Sequence, residues 1–405
     1  MKKFKITGFI LSILLLAGIS FADVNFSGMA GGSTGISGIT GDNPDFTIPF
    51  NAFAAAQLNL GSWGIFRANL GLASKNLIGG NLFTGQDATL KMNEVSLVLT
   101  KSGNAIKNYF GFYFGTYEVV GQDEFLQRQF GIEPFTSMVT RNATTLSTGI
   151  PLYDNYGTGF SYIMNFADAP GVLGFNFYIN ETSAKIFKIN LDIRTAWITK
   201  LLTIDLCGGL GVPIQNQGTG TEILLLIDTL YAHGGVSLLL GNRYTHSLFI
   251  QAGIQNLELI KGSSPSSFEG IDDLSLLVEA RIYSKEFKTR VTAYSLHKET
   301  IKDMFYLQDT LGVVLSLYSD TIPVKNNNMT MGTYIIGSLS DQSLTDVISG
   351  TAFATIPKIN VYLTPFVSIP VADGEMELMG QLGGLDIVNN LHFSFQAKIG
   401  YKKTF

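Results

Sequence analysis

Apolar and polar residues alternate in many short stretches of the chain, most clearly in the last one. Between residues 392 and 404, one face carries Phe393, Phe395, Ala397, Ile399 and Tyr401, and the other carries Ser394, Gln396, Lys398, Gly400, Lys402 and Thr404. A period of two places such sets on opposite faces of a β-strand. The stretch is therefore predicted to be an amphipathic strand, followed by the aromatic Phe405.

The same alternation recurs along the chain, in segments such as 187–197, 244–255, 274–283, 358–369 and 375–382, and on both sides of a predicted turn at residues 61–62. Segment 90–99 changes phase near Asn93 and Glu94, which indicates a β-bulge. Segment 109–120 is aromatic on both faces, and its phase cannot be assigned from the pattern.

Counting these segments predicts about eighteen strands, within a range of fourteen to eighteen, with 16–18 favoured. Their predicted starts lie near residues 23, 45, 63, 88, 108, 156, 171, 185, 201, 224, 244, 274, 287, 306, 328, 352, 375 and 391. Short turns follow even-numbered segments and long connections follow odd-numbered ones. The longest connection, residues 123–155, follows the fifth segment.

Composition turns this pattern into a membrane prediction. Only 15% of residues are charged, 46% are apolar and the mean hydropathy is +0.24, yet no apolar run after residue 22 approaches the ~20 residues that a membrane helix needs. Only helices and closed barrels satisfy their backbone polar groups inside lipid. The prediction is an all-β fold, a transmembrane antiparallel up-and-down β-barrel. A soluble β-sandwich also alternates, but the low charge and the number of strands disfavour it.

The first residues have the pattern of a secretory signal peptide. Lys2, Lys3 and Lys5 precede an apolar region at residues 6–18, and a small-x-small cleavage site ends at Ala22. We therefore expect a signal peptide at 1–22 and a single barrel domain at 23–405; an uncleaved anchor helix is the alternative. Removing residues 1–22 takes away three Lys and no acid, which moves the formal net charge from −5 to −8. This balance argues against nucleic acid as a partner.

No catalytic, cofactor or metal site emerges from the sequence, so we do not expect an enzyme. The single cysteine, Cys207, has no base near it in the sequence. The glycines at 208–211 lie in a strand pattern, unlike those of a phosphate-binding loop. The four histidines have no metal-ligand spacing; they are His233, His246, His297 and His392.

A terminal amphipathic strand ending in Phe, after a signal peptide and many alternating segments, resembles the bacterial outer-membrane β-barrel proteins, and the size resembles that of porins. The residues that carry the resemblance are Phe393, Phe395, Ile399, Tyr401 and Phe405. In that family the terminal strand is the signal for the barrel-assembly machinery. The resemblance implies export to the outer membrane, contact with its lipid and possible homo-oligomers. Long-chain fatty-acid transporters are similar in length, but no convincing N-terminal plug precedes residue 45.

By this resemblance we expect a porin-like channel for passive diffusion of small hydrophilic solutes or ions. Charged residues on the polar faces are the pore-lining candidates: Arg67, Lys188, Asp192, Arg194, Glu279, Arg281, Lys288, Arg290, Glu375, Glu377 and Lys398. Such residues could equally pair with one another across adjacent strands. A plugged transporter for hydrophobic solutes and a structural or adhesive surface barrel are the alternative functions.

The long connection 123–155 is expected to be ordered, because it is rich in aromatic and aliphatic residues that disordered segments lack. General porins fold their third outer loop into the pore, and this is the third outer loop by our numbering. The resemblance thus implies a constriction in which Asp123, Glu124 and Glu133 face wall cations such as Arg67 and Arg194. A surface lid packed on neighbouring loops is the alternative.

Overall fold

The computed structural model describes residues 24–39, 45–74, 76–77, 88–117, 120–121, 123–140, 156–181, 187–216, 223–261, 264–265, 274–301, 304–324, 327–354 and 356–405. The predicted signal peptide lies outside these residues. The long strands are β1 (Val24–Ile39), β2 (Phe50–Leu60), β3 (Gly64–Ser74), β4 (Ala88–Ser102), β5 (Ile106–Thr116), β6 (Tyr156–Phe166), β7 (Gly171–Glu181), β8 (Phe187–Ile198), β9 (Leu202–Asn216), β10 (Tyr231–Gly241), β11 (His246–Glu258), β12 (Ser275–Tyr283), β13 (Lys288–Ser295), β14 (Leu311–Val324), β15 (Asn327–Leu339), β16 (Ile359–Val371), β17 (Gly374–Leu385) and β18 (His392–Thr404).

These strands form one closed antiparallel barrel. Each long strand pairs with its neighbours in sequence, and β18 pairs with β1 from Met29 opposite Thr404 to Ile39 opposite Ser394. The predicted all-β, up-and-down barrel is confirmed, and its eighteen strands lie at the top of the predicted range. Closure pairs the edge that an open sheet would expose.

The short elements are strands Asp45–Thr47, Ile223–Leu225, Ile260–Lys261 and Ser264–Pro265, and helices α1 (Asp123–Phe130), α2 (Lys298–Ile301) and α3 (Leu344–Ser349). Turns of 3₁₀ helix lie at Met138–Thr140, Ile227–Thr229 and Thr351–Phe353. None of the helices in the described part of the chain combines the length and the apolar character needed to cross a membrane.

The two faces of the wall differ in polarity as the alternation predicts. In β8 the outward residues Phe187, Leu191 and Trp197 are at least 44% exposed, whereas the inward Lys188 and Asp192 are at most 4% exposed. The predicted change of phase in β4 is confirmed as a bulge. Its register with β3 shifts where Asn69 and Leu70 lie opposite Glu94 and Met92.

Strand β5 contains the aromatic segment whose phase could not be assigned. Its phenylalanines Phe110, Phe112 and Phe114 point outward and are at least 43% exposed, whereas Tyr109 and Tyr113 point inward and are buried. The Tyr residues take the inward face because a buried hydroxyl group needs a hydrogen-bond partner, which lipid does not offer.

Four strands begin five or seven residues later than the pattern predicted: β2, β10, β14 and β16. The short strands Asp45–Thr47 and Ile223–Leu225, which pair with β1 and β9, account for the early starts of β2 and β10. Before β14, Phe305 and Tyr306 pack inside the barrel in a loop. Before β16, residues Thr351–Phe353 form a 3₁₀ turn.

The two rims of the barrel, where the strands begin and end, differ in the length of their connections, and we call each rim an edge. At the first, which we call the turn edge, even-numbered strands connect to the next strand through short turns, such as residues 61–63 and 372–373. At the other, the loop edge, odd-numbered strands end in long connections. Residues 24 and 405 both lie at the turn edge, as in outer-membrane barrels, which have short turns on one side and long loops on the other.

Candidate functional site: the barrel interior

The eleven pore-lining candidates all occupy inward register positions, and most of them are paired within the wall. Ion pairs join Arg194 to Asp205 (2.5 Å), Arg281 and Arg290 to Glu279 (2.7 and 3.8 Å), Arg67 to Glu94 (3.8 Å), Lys402 to Glu375 (3.9 Å), and Lys288 to Asp320. Asp192 Oδ1 and His233 Nε2 are joined by a hydrogen bond of 2.6 Å. Lys188 lies over the ring of Tyr231 (5.0 Å), Lys398 lies over that of Phe305 (5.8 Å), and Glu377 is 5% exposed.

The most deeply buried of these pairs is Arg194 with Asp205, on the adjacent strands β8 and β9. The guanidinium donates to both carboxylate oxygens (2.8 and 2.5 Å), and the two side chains are at most 1% exposed. Sequence reasoning selected Arg194 and missed Asp205. The sequence contained a signal for Asp205, because it is an acidic residue on the polar face of the strand that follows Arg194.

The connection after β5 enters the barrel, and we call its described residues 117, 120–121 and 123–140 the inner segment. Helix α1 lies in it, and Phe125, Leu126, Phe135 and Val139 are all at most 2% exposed. Gly121 lies against the wall with a φ of +87°, where an added Cβ atom would overlap the carboxylate of Asp205. The close approach and the left-handed backbone both require glycine there.

The inner segment is held in shape by Asp123. Its carboxylate accepts hydrogen bonds from the backbone N–H groups of Phe135 (2.8 Å) and Thr136 (3.2 Å), which ties the start of α1 to the chain that follows it. Burial raises the pKa of the Asp123 carboxyl, and the hydrogen bonds from Thr136 and Phe135 and the charge of Arg281 act in the opposite direction.

The inner segment also spans the lumen from one wall to another. On the near wall, Tyr109 of β5 and Asn165 of β6 both donate to Gln129 (2.7 and 3.2 Å). The far contacts lie on β11 and β12, five to seven strands away around a ring of eighteen. The segment therefore crosses the interior and is not packed along one side of it.

Three contacts hold the segment at the far wall. The ring of Phe135 meets that of Phe249 edge-on at 5.7 Å, and Arg281 donates to the carbonyl oxygen of Phe135 at 2.6 Å. Ser137 Oγ donates to Glu279 Oε2 at 2.5 Å. Glu279 is fully buried, so these charge-assisted bonds form away from water, where they are strong.

The described contacts of Asp123 differ from the predicted pairing with Arg67 and Arg194, while the pairing of Glu124 and Glu133 stays a prediction. Asp123 binds its own loop backbone, while Glu124 and Glu133 are exposed. The wall arginines have carboxylates of the wall beside them: Arg194 pairs with Asp205 and Arg67 lies near Glu94. Strand register places these partners in the wall itself. Residues 141–155 of the predicted loop lie outside the described residues.

A second connection, between β13 and β14, also packs inward. Met304, Phe305, Tyr306 and Leu307 are at most 7% exposed. Gln381 and Gln396, on β17 and β18, donate to the carbonyl oxygens of Tyr306 (3.1 Å) and Phe305 (3.0 Å). Sequence reasoning had placed the start of a strand here. An apolar run without alternation was the signal for a packed loop.

Among the described residues, no group of three or more His, Cys, Asp or Glu side chains is placed to hold a metal ion. The inward wall of this part of the chain carries ion pairs, hydroxyls and amides together with buried apolar residues such as Leu239, Leu277 and Ile336, and two connections fold inward between them.

The comparisons with known proteins bear on the fold alone. No protein-family model matches the chain, and no curated protein matches it in sequence. Among solved structures, OccAB4 of Acinetobacter baumannii is similar with a TM-score of 0.52, at 8% identity over 94% of this chain and 98% of that one. OprB of Pseudomonas putida (TM-score 0.44, 10% identity, 98% of this chain and 97% of that one) and OmpT of Vibrio cholerae (0.39, 10%, 94% and 97%) are more distant in structure.

The similarity to OccAB4 and the closed ring of eighteen strands together show the fold of an outer-membrane β-barrel of the porin type.

Proposed function

We propose that this chain is an outer-membrane channel that passes small hydrophilic solutes or ions by diffusion, with the inner segment as its constriction. Its outward face is apolar, as lipid requires, and its inward face carries charged, amide and hydroxyl side chains. Rings of such groups set the preference of a pore for one class of ion or solute.

The observation that carries the proposal is the bridge between the inner segment and the far wall. Ser137 and the carbonyl of Phe135 are bound to Glu279 and Arg281, on β12. A segment fixed at both walls divides the lumen and narrows the path on either side of it. The bound carboxylate and guanidinium also place both signs of charge beside that path.

A second candidate is a plugged transporter for hydrophobic solutes. Its support is the extent of packing inside the barrel: aromatic and aliphatic residues of both inward connections are buried, including Tyr117, Leu126 and Tyr306. The many charged, amide and hydroxyl side chains on the inward wall favour the channel, because a path for hydrophobic solutes needs an apolar lining.

The proposal includes a route to the membrane. Residues 1–22 would direct export, and Phe393, Phe395, Ile399, Tyr401 and Phe405 would present the terminal strand to the assembly machinery. In the assembled barrel, Phe393 and Ile399 are exposed on the outward face, where outer-membrane lipid or a second copy of the chain would cover them.

Single-channel recording in planar bilayers tests the proposal. The parent should give stepwise currents, and replacing residues 125–139 by a short Gly-Ser linker should raise the conductance, because the bridge is removed. Deleting α3 is the matched control: none of its residues is buried, so the conductance should stay at the parental value.

The outcomes separate the candidates. If the parent gives no current and the variant with the linker conducts, the parental barrel is plugged. A correctly assembled variant with the parental conductance would rule out the inner segment as the constriction.

A further inference from the structure

Asp309, in the second inward connection, is held by neutral donors alone. Ser338 Oγ (2.5 Å), Asn360 Nδ2 (2.9 Å) and the Tyr362 hydroxyl (3.3 Å) all donate to the same oxygen, Oδ2. Within the described part of the chain, no Lys, Arg or His lies within ion-pair distance of this carboxylate. The three donors orient the carboxylate without neutralising it, and they leave Oδ1 available as an acceptor.

Asp309 lines a cavity of about 440 Å³ at the loop-edge end of the barrel interior. Residues of β1, β16, β17 and β18, of the short strand Asp45–Thr47 and of the second inward connection surround it. Its other polar groups are amides and hydroxyls, among them those of Ser37, Thr47, Gln308, Asn360, Gln381 and Gln396. The volume lies within the range of ~300–1,000 Å³ typical of small-molecule sites.

We propose that this cavity binds a small solute that carries a protonated amine together with hydroxyl groups. The amine would donate to Asp309 Oδ1 in a charge-assisted hydrogen bond, the stronger class of hydrogen bond. The amide and hydroxyl groups can each donate to or accept from a sugar-like hydroxyl. An anion is disfavoured by the carboxylate, and a bare Ca²⁺ ion would need several more oxygen ligands of high charge.

The proposal is independent of conduction, because a binding site can exist in an open channel or in a plugged barrel. Equilibrium binding to the folded, full-length protein in detergent therefore tests it separately from the bilayer recordings. Glucosamine and glucose are a matched pair of probes: they share a ring and differ in one group, so their affinities isolate the contribution of the amine.

Isothermal titration at a pH at which the amine is protonated should show glucosamine binding at least tenfold more tightly than glucose. Asp309→Asn should abolish this preference and keep the shape of the side chain. Asp341→Asn is the matched control, since Asp341 is an exposed carboxylate in a loop-edge connection, paired with Lys358 at 3.7 Å. The Asp341→Asn protein should keep the parental preference for glucosamine over glucose.

A second variant tests the charge from the other side. Gln308→Glu adds a carboxylate to the same cavity and should tighten glucosamine binding several-fold without improving glucose binding. Equal affinities of the parent for the two sugars, no detectable binding of either, or an unchanged preference in a correctly folded Asp309→Asn protein would each overturn the proposal.

Discussion

Residues of the inner wall form a dense set of ion pairs, and their energies depend on burial. Arg194 and Asp205 are at most 1% exposed, whereas Lys402 and Glu375 lie near the turn edge and are 27% and 54% exposed. Exposed pairs contribute little because water screens them. Loss of one partner from a buried pair is costly, because the remaining charge has lost its compensation.

Arg194→Met should therefore destabilise the barrel by ~3–5 kcal/mol, since it leaves the Asp205 carboxylate buried beside Gly121. The double variant Arg194→Met with Asp205→Leu removes both charges and should recover much of the loss. Urea unfolding in detergent, followed by Trp fluorescence, measures both. A double variant no more stable than the single one would contradict the explanation by uncompensated charge.

The difference between the wall faces gives a second test at the residue scale. Leu70 lies near the middle of β3, faces outward and is 38% exposed, and its neighbour Asn69 faces inward and is half-buried. Leu70→Arg should cost ~2–4 kcal/mol in a lipid bilayer, because the charge enters hydrocarbon. Asn69→Arg should be better tolerated, since Glu94 lies directly opposite it on β4 and the change gives up only the 3.3 Å hydrogen bond that Asn93 donates to Asn69.

Unfolding in lipid vesicles compares these two variants. The structure also shows which inward sites make poor controls: Asn190 is 1% exposed and hydrogen-bonded to Asn180, so an Arg there would meet packing resistance unrelated to lipid. If Leu70→Arg and Asn69→Arg lose the same stability, the assignment of the two faces is wrong.

The connecting elements at the loop edge differ in how they are stabilised. Helix α1 is ordered by packing inside the barrel, whereas α3 has no buried residue and depends on its own hydrogen bonds. Ser343 and Asp346 form a reciprocal capping box at the start of α3. Hydrogen bonds from the side chain and the backbone N–H of Ser343, and from the side chain of Thr351, hold the pKa of the Asp346 carboxyl below its usual value.

Ser343→Ala should speed hydrogen exchange of the α3 amides about fivefold, the equivalent of ~1 kcal/mol for a lost N-cap. Strand amides are the internal control and should not change. A lowered pKa means that the box is intact above the ordinary pKa of an aspartate and is lost as the pH falls through the lower folded value. Protection of α3 that disappears well above the ordinary value would contradict this assignment.

For the whole molecule, stability depends on closing β18 against β1. The last residue takes part: Phe405 and Gly28 exchange two backbone hydrogen bonds (2.8 and 2.9 Å), and the Phe405 ring stacks on Phe26 at 5.5 Å. Both rings are more than half exposed at the turn edge, where aromatic residues suit the interface between lipid and water.

Phe405→Ser should lower the amount of assembled barrel in the outer membrane, because it removes the ring stack and the aromatic end of the proposed assembly signal. Heat-modifiable migration on gels measures assembly, and the amount secreted should not change. Phe287→Ser is the matched control, since Phe287 is a 63% exposed aromatic at the same edge outside the terminal strand. Equal assembly of parent and Phe405→Ser would contradict a role for this residue.

The sequence by itself determined the class of fold, the phase of most strands and the bulge near Asn93. These features follow from a local period of two and from the requirement of lipid for an apolar outer face, which each strand meets separately. It did not resolve β5, because Phe and Tyr are both apolar in the pattern and only their contacts separate them. It missed the packed loop at Phe305 for a related reason: apolar residues buried in a lumen resemble those of a strand.

Only the tertiary structure decided what meets inside the barrel. Arg194 pairs with Asp205 because of strand register, Ser137 reaches Glu279 across the lumen, and Asp309 receives donors from β15 and β16. These contacts join residues up to 142 positions apart. Local periodicity carries no information about which of these distant residues meet. That depends on how the closed barrel curves and on where each loop folds back into it.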